Sequence, residues 1–168
     1  DGIQLCDWFV SDFTLEELKI LRARQSRADR SREYDDLYPI LTFQEVLDFV
    51  KGYNTSNAHK MGIYPELKHP TYHRKLGFHI EDLLLSQLYE MGYTEKTSKI
   101  CVQCFEPRSL QYISRNSDLK LIQLIGASGV NSDGTLIFKK EDGSYDPEGQ
   151  PYDFFITKNP NNFNFFTT

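Results

Sequence analysis

What this chain has little of narrows its nature first. It holds only three cysteines, Cys6, Cys101 and Cys104. An odd, scattered set does not build the disulfide framework of a small secreted domain. Cys101 and Cys104 have the C-x-x-C spacing, but the second pair that a zinc site needs is absent, and redox pairs usually open a helix. Here the pair lies in an apolar run, Ile100 to Phe105, that reads as a strand. Residues three apart on a strand face opposite sides, so two packed thiols are expected. No apolar run approaches the roughly 18 residues of a membrane span. There is no surplus of basic residues either. Nineteen Lys and Arg against 24 Asp and Glu give a net charge of -5, which argues against a general nucleic-acid binder. The G-x-S-x-G, P-loop and G-x-G-x-x-G patterns are missing. So is an initial methionine. The chain opens on Asp1 with no signal-like segment before it, and a processed, truncated or partial chain is the expectation.

What is present is enough for a folded core. The 168 residues are 39% hydrophobic and 14% aromatic, one domain's worth on length. Thr14-Leu15-Glu16-Glu17 and Thr42-Phe43-Gln44-Glu45 are two capping boxes, each followed by apolar residues at helical spacing. Gly52 is the expected stop of the second helix. Between them, residues 22–38 mix Arg22, Arg24, Arg27, Arg30 and Arg32 with acids, the pattern of a solvated loop rather than an anion site. Asn54-Thr55-Ser56 is a glycosylation sequon, of consequence only in a secreted chain. Strands are expected at residues 62–68, 100–105 and 119–125. His69-Pro70 ends the first of these. Helices are expected at residues 78–91 and from Pro107, since proline suits a first turn. From Ala127 the chain turns Gly-rich and polar, reading as a long insertion and tail over residues 127–168. There "TLIFKKEDGSYD" reads as a hairpin or an excursion, and the Phe-rich "NPNNFNFFTT" as either a packed or a frayed end. Strand-helix alternation with apolar strands predicts an α/β fold with a parallel sheet covered by helices.

The polar residues at the strand ends carry the chemistry. In "GIYPELKHP", Glu66 and Lys68 are two apart and share a strand face. Gln103 and Gln123 sit near the ends of the next two strands. In parallel α/β folds ligands bind at the C-terminal strand ends, so these residues are expected to converge. Two readings stand at this point: a solvated Glu-Lys pair with glutamines serving nearby backbone, or a site. A hard carboxylate suits Mg²⁺ or Ca²⁺, and an ammonium beside it suits a phosphate oxygen. His69 and His73 have i, i+4 spacing, but Pro70 between them and the missing HExxH glutamate speak against zinc.

The order and spacing of "DFTLEELKILR" (12–22), "PILTFQEVLDFVKGYN" (39–54), "GIYPELKHP" (62–70), "EMGYT" (90–94), "CVQCFEP" (101–107) and "LKLIQLIG" (119–126) resemble the glycerophosphodiester phosphodiesterases. The likeness is to their larger secreted, periplasmic and plant-like type, over about residues 7–126. The resemblance implies a portion of a TIM (β/α)₈ barrel, with about three parallel strands here and a long loop insertion. It implies metal-dependent hydrolysis of a small-molecule substrate, a glycerophosphodiester such as glycerophosphocholine, to glycerol 3-phosphate and an alcohol. That is a role in lipid and glycerol metabolism, leaning to a secreted or periplasmic place. It makes Glu66 a ligand of Mg²⁺ or Ca²⁺ and puts Lys68 near the substrate phosphate, both as catalytic groups. It makes Gln103 and Phe105 pocket-lining residues. The family's catalytic histidines and its E-x-D metal pair are expected upstream of the "DFTLEEL" helix, outside this chain. The alternatives are a non-catalytic barrel relative acting as a binding or structural module, and an unrelated α/β fragment. Strands that are not adjacent and parallel would support the last.

Overall fold

The computed structural model describes residues 6–124, the strand pair Gly129–Val130 and Leu136–Ile137, and positions 132 and 142. The Phe-rich tail and most of the proposed insertion lie outside these residues. The chain divides into two compact units, Asp1–His59 and Lys60–Thr168.

In the first unit a 3₁₀ turn, Val10–Asp12, precedes α1, Leu15–Ile20, and α2, Phe43–Ser56. Both expected capping boxes form. The Thr14 hydroxyl accepts from the Glu17 N–H at 3.3 Å, and the Glu17 carboxylate accepts from the Thr14 N–H at 2.8 Å. Thr42 and Glu45 do the same at 3.2 and 2.7 Å. Each box satisfies two backbone donors that a helix start leaves open. The expected stop at Gly52 does not occur. A glycine inside a helix is only about 1 kcal/mol worse than alanine, so one glycine need not end a helix. The Thr55 hydroxyl donates to the Lys51 carbonyl at 2.9 Å, and the Asn57 side chain closes the end on the Tyr53 carbonyl at 2.9 Å. The Arg-rich segment is exposed, as its mixed charge predicts. Arg24 grips Asp36 through two hydrogen bonds of 2.7 and 2.6 Å, and Arg27 grips Asp29.

The second unit is built on three strands. They are β1, Glu66–Leu67, β2, Cys101–Cys104, and β3, Lys120–Gln123. They lie in the order β1-β2-β3, all parallel. The apolar start of the first predicted strand also follows β2. The Ile63 N–H donates to the Lys99 carbonyl at 3.0 Å, and the Cys101 N–H to the Ile63 carbonyl at 3.1 Å. Between β1 and β2 run α3, Pro70–Lys75, and α4, Ile80–Glu90; α5, Pro107–Asn116, joins β2 to β3. Helix α5 packs on β2 and β3, while α4 packs against both α3 and α5. The core comprises Leu67, Val102 and Cys104 from the strands and Leu84, Leu85, Leu88, Leu110 and Ile113 from the helices. Beyond β3, β4, Gly129–Val130, pairs antiparallel with β5, Leu136–Ile137. The start of "TLIFKKEDGSYD" therefore pairs back onto Gly129 and Val130.

Burial alternates along the sheet instead of covering both faces. Val102 and Cys104 are buried, while Cys101 and Gln103 between them are half-buried. Lys120 and Ile122 are exposed on β3. One face meets helices, and the face carrying Glu66, Gln103 and Ile122 is the more open one.

Candidate active site at the strand ends

The open face gathers two of the three predicted polar residues. Glu66 stands opposite Gln103, and Gln103 opposite Ile122. The Gln103 N–H donates to the Pro65 carbonyl at 2.9 Å, which locks that register one residue before Glu66. The Lys68 ammonium donates to Glu66 Oε1 at 2.9 Å. Their side chains are 71% and 21% exposed respectively, so the pair sits at a mouth open to water. Glu66 Oε2 takes no hydrogen bond among the described residues. One carboxylate oxygen is thus committed to an ammonium and the other is open, which suits a hard cation as a single ligand. Among the described residues no group of three His, Cys, Asp or Glu side chains could hold a metal. His69 and His73 do not make one. His69 takes the left-handed N-cap position of α3, and His73 lies in that helix against the Tyr72 ring.

Gln123 does not join the site. Its register partner is Cys104, one residue beyond Gln103, so the period of two turns it to the other face. There its amide donates to the carbonyls of Cys104, Phe105 and Leu124 at 3.3, 3.0 and 2.8 Å. It closes backbone groups at the strand ends. Phe105 follows β2 directly and is half-buried. The thiols behave as packed groups: Cys101 and Cys104 are not joined in a disulfide and lie on opposite faces.

Sequence reasoning missed two buried acids. Glu81 is 1% exposed, and its Oε1 accepts from Arg74 at 2.5 Å. Glu106 is 2% exposed, and its Oε2 accepts from both the backbone N–H and the hydroxyl of Thr71, the former at 2.9 Å. Helix α3, which begins two residues after Lys68, was also missed. The signal was Pro70, which reads equally as a strand stop and as a first helical residue.

A model of the glycerophosphoryl diester phosphodiesterase family matches residues 1–142. The chain belongs to this family. Curated relatives agree. A glycerophosphodiester phosphodiesterase of Haemophilus influenzae is 32% identical over 70% of this chain and 37% of its own length. One of Treponema pallidum is 32% identical over 70% of this chain and 38% of its own length. One of Arabidopsis thaliana is 33% identical over 74% of this chain and 36% of its own. The chain thus spans somewhat over a third of the curated relatives it matches. The family fold is a TIM barrel, and the three parallel strands with their helices are a portion of one. Adjacent, parallel strands also dispose of the unrelated-fragment reading.

Proposed function

We propose that the protein to which this chain belongs hydrolyses glycerophosphodiesters, such as glycerophosphocholine, to glycerol 3-phosphate and an alcohol. The observation that carries this is the 2.9 Å Glu66–Lys68 pair at the C-terminal end of β1, on the sheet face that also bears Gln103. That end of a barrel strand is where ligands are bound and chemistry is done. The names of the relatives supply the substrate class.

The chemistry follows from charge. A phosphodiester is anionic, and attack on phosphorus needs that charge offset by fixed positive groups. Lys68, a compact ammonium largely in water, is free to swing from Glu66 to a phosphate oxygen. Glu66 would then be a ligand for Mg²⁺ or Ca²⁺, ions that when bound offset phosphate charge and polarise the scissile bond. Metal use is general in the family. Gln103 beside Glu66, and Phe105 just beyond it, are the proposed pocket walls. On this reading residues 1–168 belong to one barrel domain, with 127–168 an insertion and tail. The family match runs through both compact units, which supports it.

The test is release of glycerol 3-phosphate from glycerophosphocholine by the full-length protein, with and without a chelator. Chelation should abolish release and added Mg²⁺ or Ca²⁺ restore it. Glu66→Gln and Lys68→Met should each lower kcat/KM by about 10²–10³-fold, the usual loss when one charge-stabilising group is removed. Full activity of Glu66→Gln would remove it as a metal ligand.

A further inference from the structure

Glu106 breaks a local rule. It is the N-cap of α5, yet its side chain makes no cap hydrogen bond to that helix. Instead its carboxylate reaches 35 residues back along the sequence, to Thr71. Thr71 is the second residue of α3. The first, Pro70, has no N–H, and the N-cap His69 offers no side-chain cap. The first free donor of α3 is therefore satisfied by the start of another helix. The Thr71 hydroxyl donates to the same oxygen, Oε2. A second tie runs alongside. The Cys104 thiol lies 3.2 Å from the Leu67 carbonyl, and the Glu106 N–H donates to its sulfur at 3.3 Å. Both ties bind the corner after β1 to the corner after β2. Lys68 and the left-handed His69 (φ 51°) lie in that first corner, directly after the strand that carries Glu66, and Phe105 lies in the second, after the strand that carries Gln103.

We propose that Glu106 and Thr71 are positioning residues, a buried clamp that fixes the β1–α3 corner and so holds Glu66 and Lys68 against the Gln103 strand end. The inference rests on the phosphodiesterase reading for its catalytic consequence, and on the hydrogen bonds for the clamp itself. A carboxylate is suited to this work. It accepts two bonds at one oxygen. Partners of this kind behind the reacting groups typically govern activity by about 10–100-fold when lost, and small misplacements at a site are enough to do it.

The experiment uses the full-length protein with glycerophosphocholine and saturating metal. Thr71→Val removes the hydroxyl and keeps shape, while Thr71→Ser keeps both donors. We expect Thr71→Val to lower kcat about 10-fold and Glu106→Ala more, with Thr71→Ser within about two-fold of the parent. Leu110→Ala, a core truncation one helical turn after Glu106 that leaves the Glu106 and Thr71 side chains in place, serves as the stability control. It should lower Tm at least as much as Thr71→Val while leaving kcat per folded molecule in place. If Thr71→Val keeps its kcat, or if Leu110→Ala loses as much, the clamp does not position the site. Amide exchange at Lys68, His69 and Thr71 reads the clamp without turnover. Glu106→Ala should speed exchange at all three, and unchanged exchange would overturn the clamp. An inactive parent with accelerated exchange in Glu106→Ala would remove the phosphodiesterase reading and leave the clamp standing.

Discussion

Gly62 sits where two backbones nearly touch. A Cβ built there would lie 2.9 Å from the Lys99 carbonyl oxygen and 3.5 Å from the Lys99 Cβ. The same carbonyl accepts the Ile63 N–H at 3.0 Å, so it cannot retreat without losing a ladder bond. Gly62→Ala should therefore destabilise the full-length protein by about 1–3 kcal/mol, the usual range for forced overpacking. A shifted urea midpoint with an unchanged slope would register it, and an unshifted midpoint would mean the strands separate easily there. At this scale the sequence was informative wherever one strand sufficed. Period two alone put Glu66 and Lys68 on one side, and the 2.9 Å contact agrees. It was misleading for Gln123, whose face depends on its register against β2. Register is a property of two strands and is not written in either one. Glu106 was illegible for a related reason, since its partner is 35 residues away.

Helices α3, α4 and α5 are tied together by a few polar contacts over an apolar base. Arg74 of α3 pairs with buried Glu81 of α4 and lies 5.7 Å from the Tyr112 ring of α5. The Tyr112 hydroxyl donates to Asp82 of α4 at 2.5 Å. Glu81 Oε2 has no hydrogen-bond partner among the described residues, so its charge is offset through Oε1 alone. Removing Arg74 would strand that carboxylate. Arg74→Met is expected to cost about 3 kcal/mol, at the low end for a broken buried pair because Arg74 itself is 44% exposed. Adding Glu81→Leu should recover most of this, and a double-mutant cycle by urea unfolding checks it. If the two losses simply add, the pair is not coupled. The Tyr112–Asp82 contact adds a pH signature. The hydrogen bond to Asp82, followed by burial, raises the Tyr112 phenol above its ordinary range. A raised phenol favours its protonated form in the folded state. Its contribution is whole below the ordinary tyrosine pKa and is lost as pH climbs through the raised value. Tyr112→Phe should therefore lower Tm near neutrality, where the contribution is whole, and flatten the further loss of Tm on the alkaline side. At this scale Thr14, Thr42, Gly92 and Pro107 announced helix ends from sequence. Gly92 (φ 84°) follows α4 as expected, with its N–H on the Tyr89 carbonyl and the Tyr93 N–H on Leu88. Gly52 announced an end that does not exist, because propensity is weak beside the polar caps further along.

For the molecule, the decisive feature is that β1 and β3 are the outer strands of a three-stranded sheet whose better-exposed face bears Glu66, Gln103 and Ile122. A closed barrel has no edges and packs its inner face with side chains from all its strands. Three strands leave two rows of backbone donors and acceptors and an inner face that only neighbouring strands would cover. That architecture was readable in the alternation of strands and helices, whereas the one-sided burial was not. A strand that lines a barrel and one packed between two helix layers are both mostly apolar. The consequence is a stability difference between the part and the whole. Made alone, the 168-residue chain is expected to self-associate with rising concentration and to bind ANS, while the full-length protein does neither. Ile122, 37% exposed on the open face, gives the internal control. Ile122→Lys should reduce association of the isolated chain, since a charge on an outer strand opposes edge pairing. In a full-length protein whose further strands cover this face, the same change should lower stability. Light scattering on both lengths reads the first effect and urea unfolding the second. A concentration-independent monomer from the short chain, or an Ile122→Lys full-length protein as stable as its parent, would mean that β3 is a natural edge and that no further strand pairs beside it.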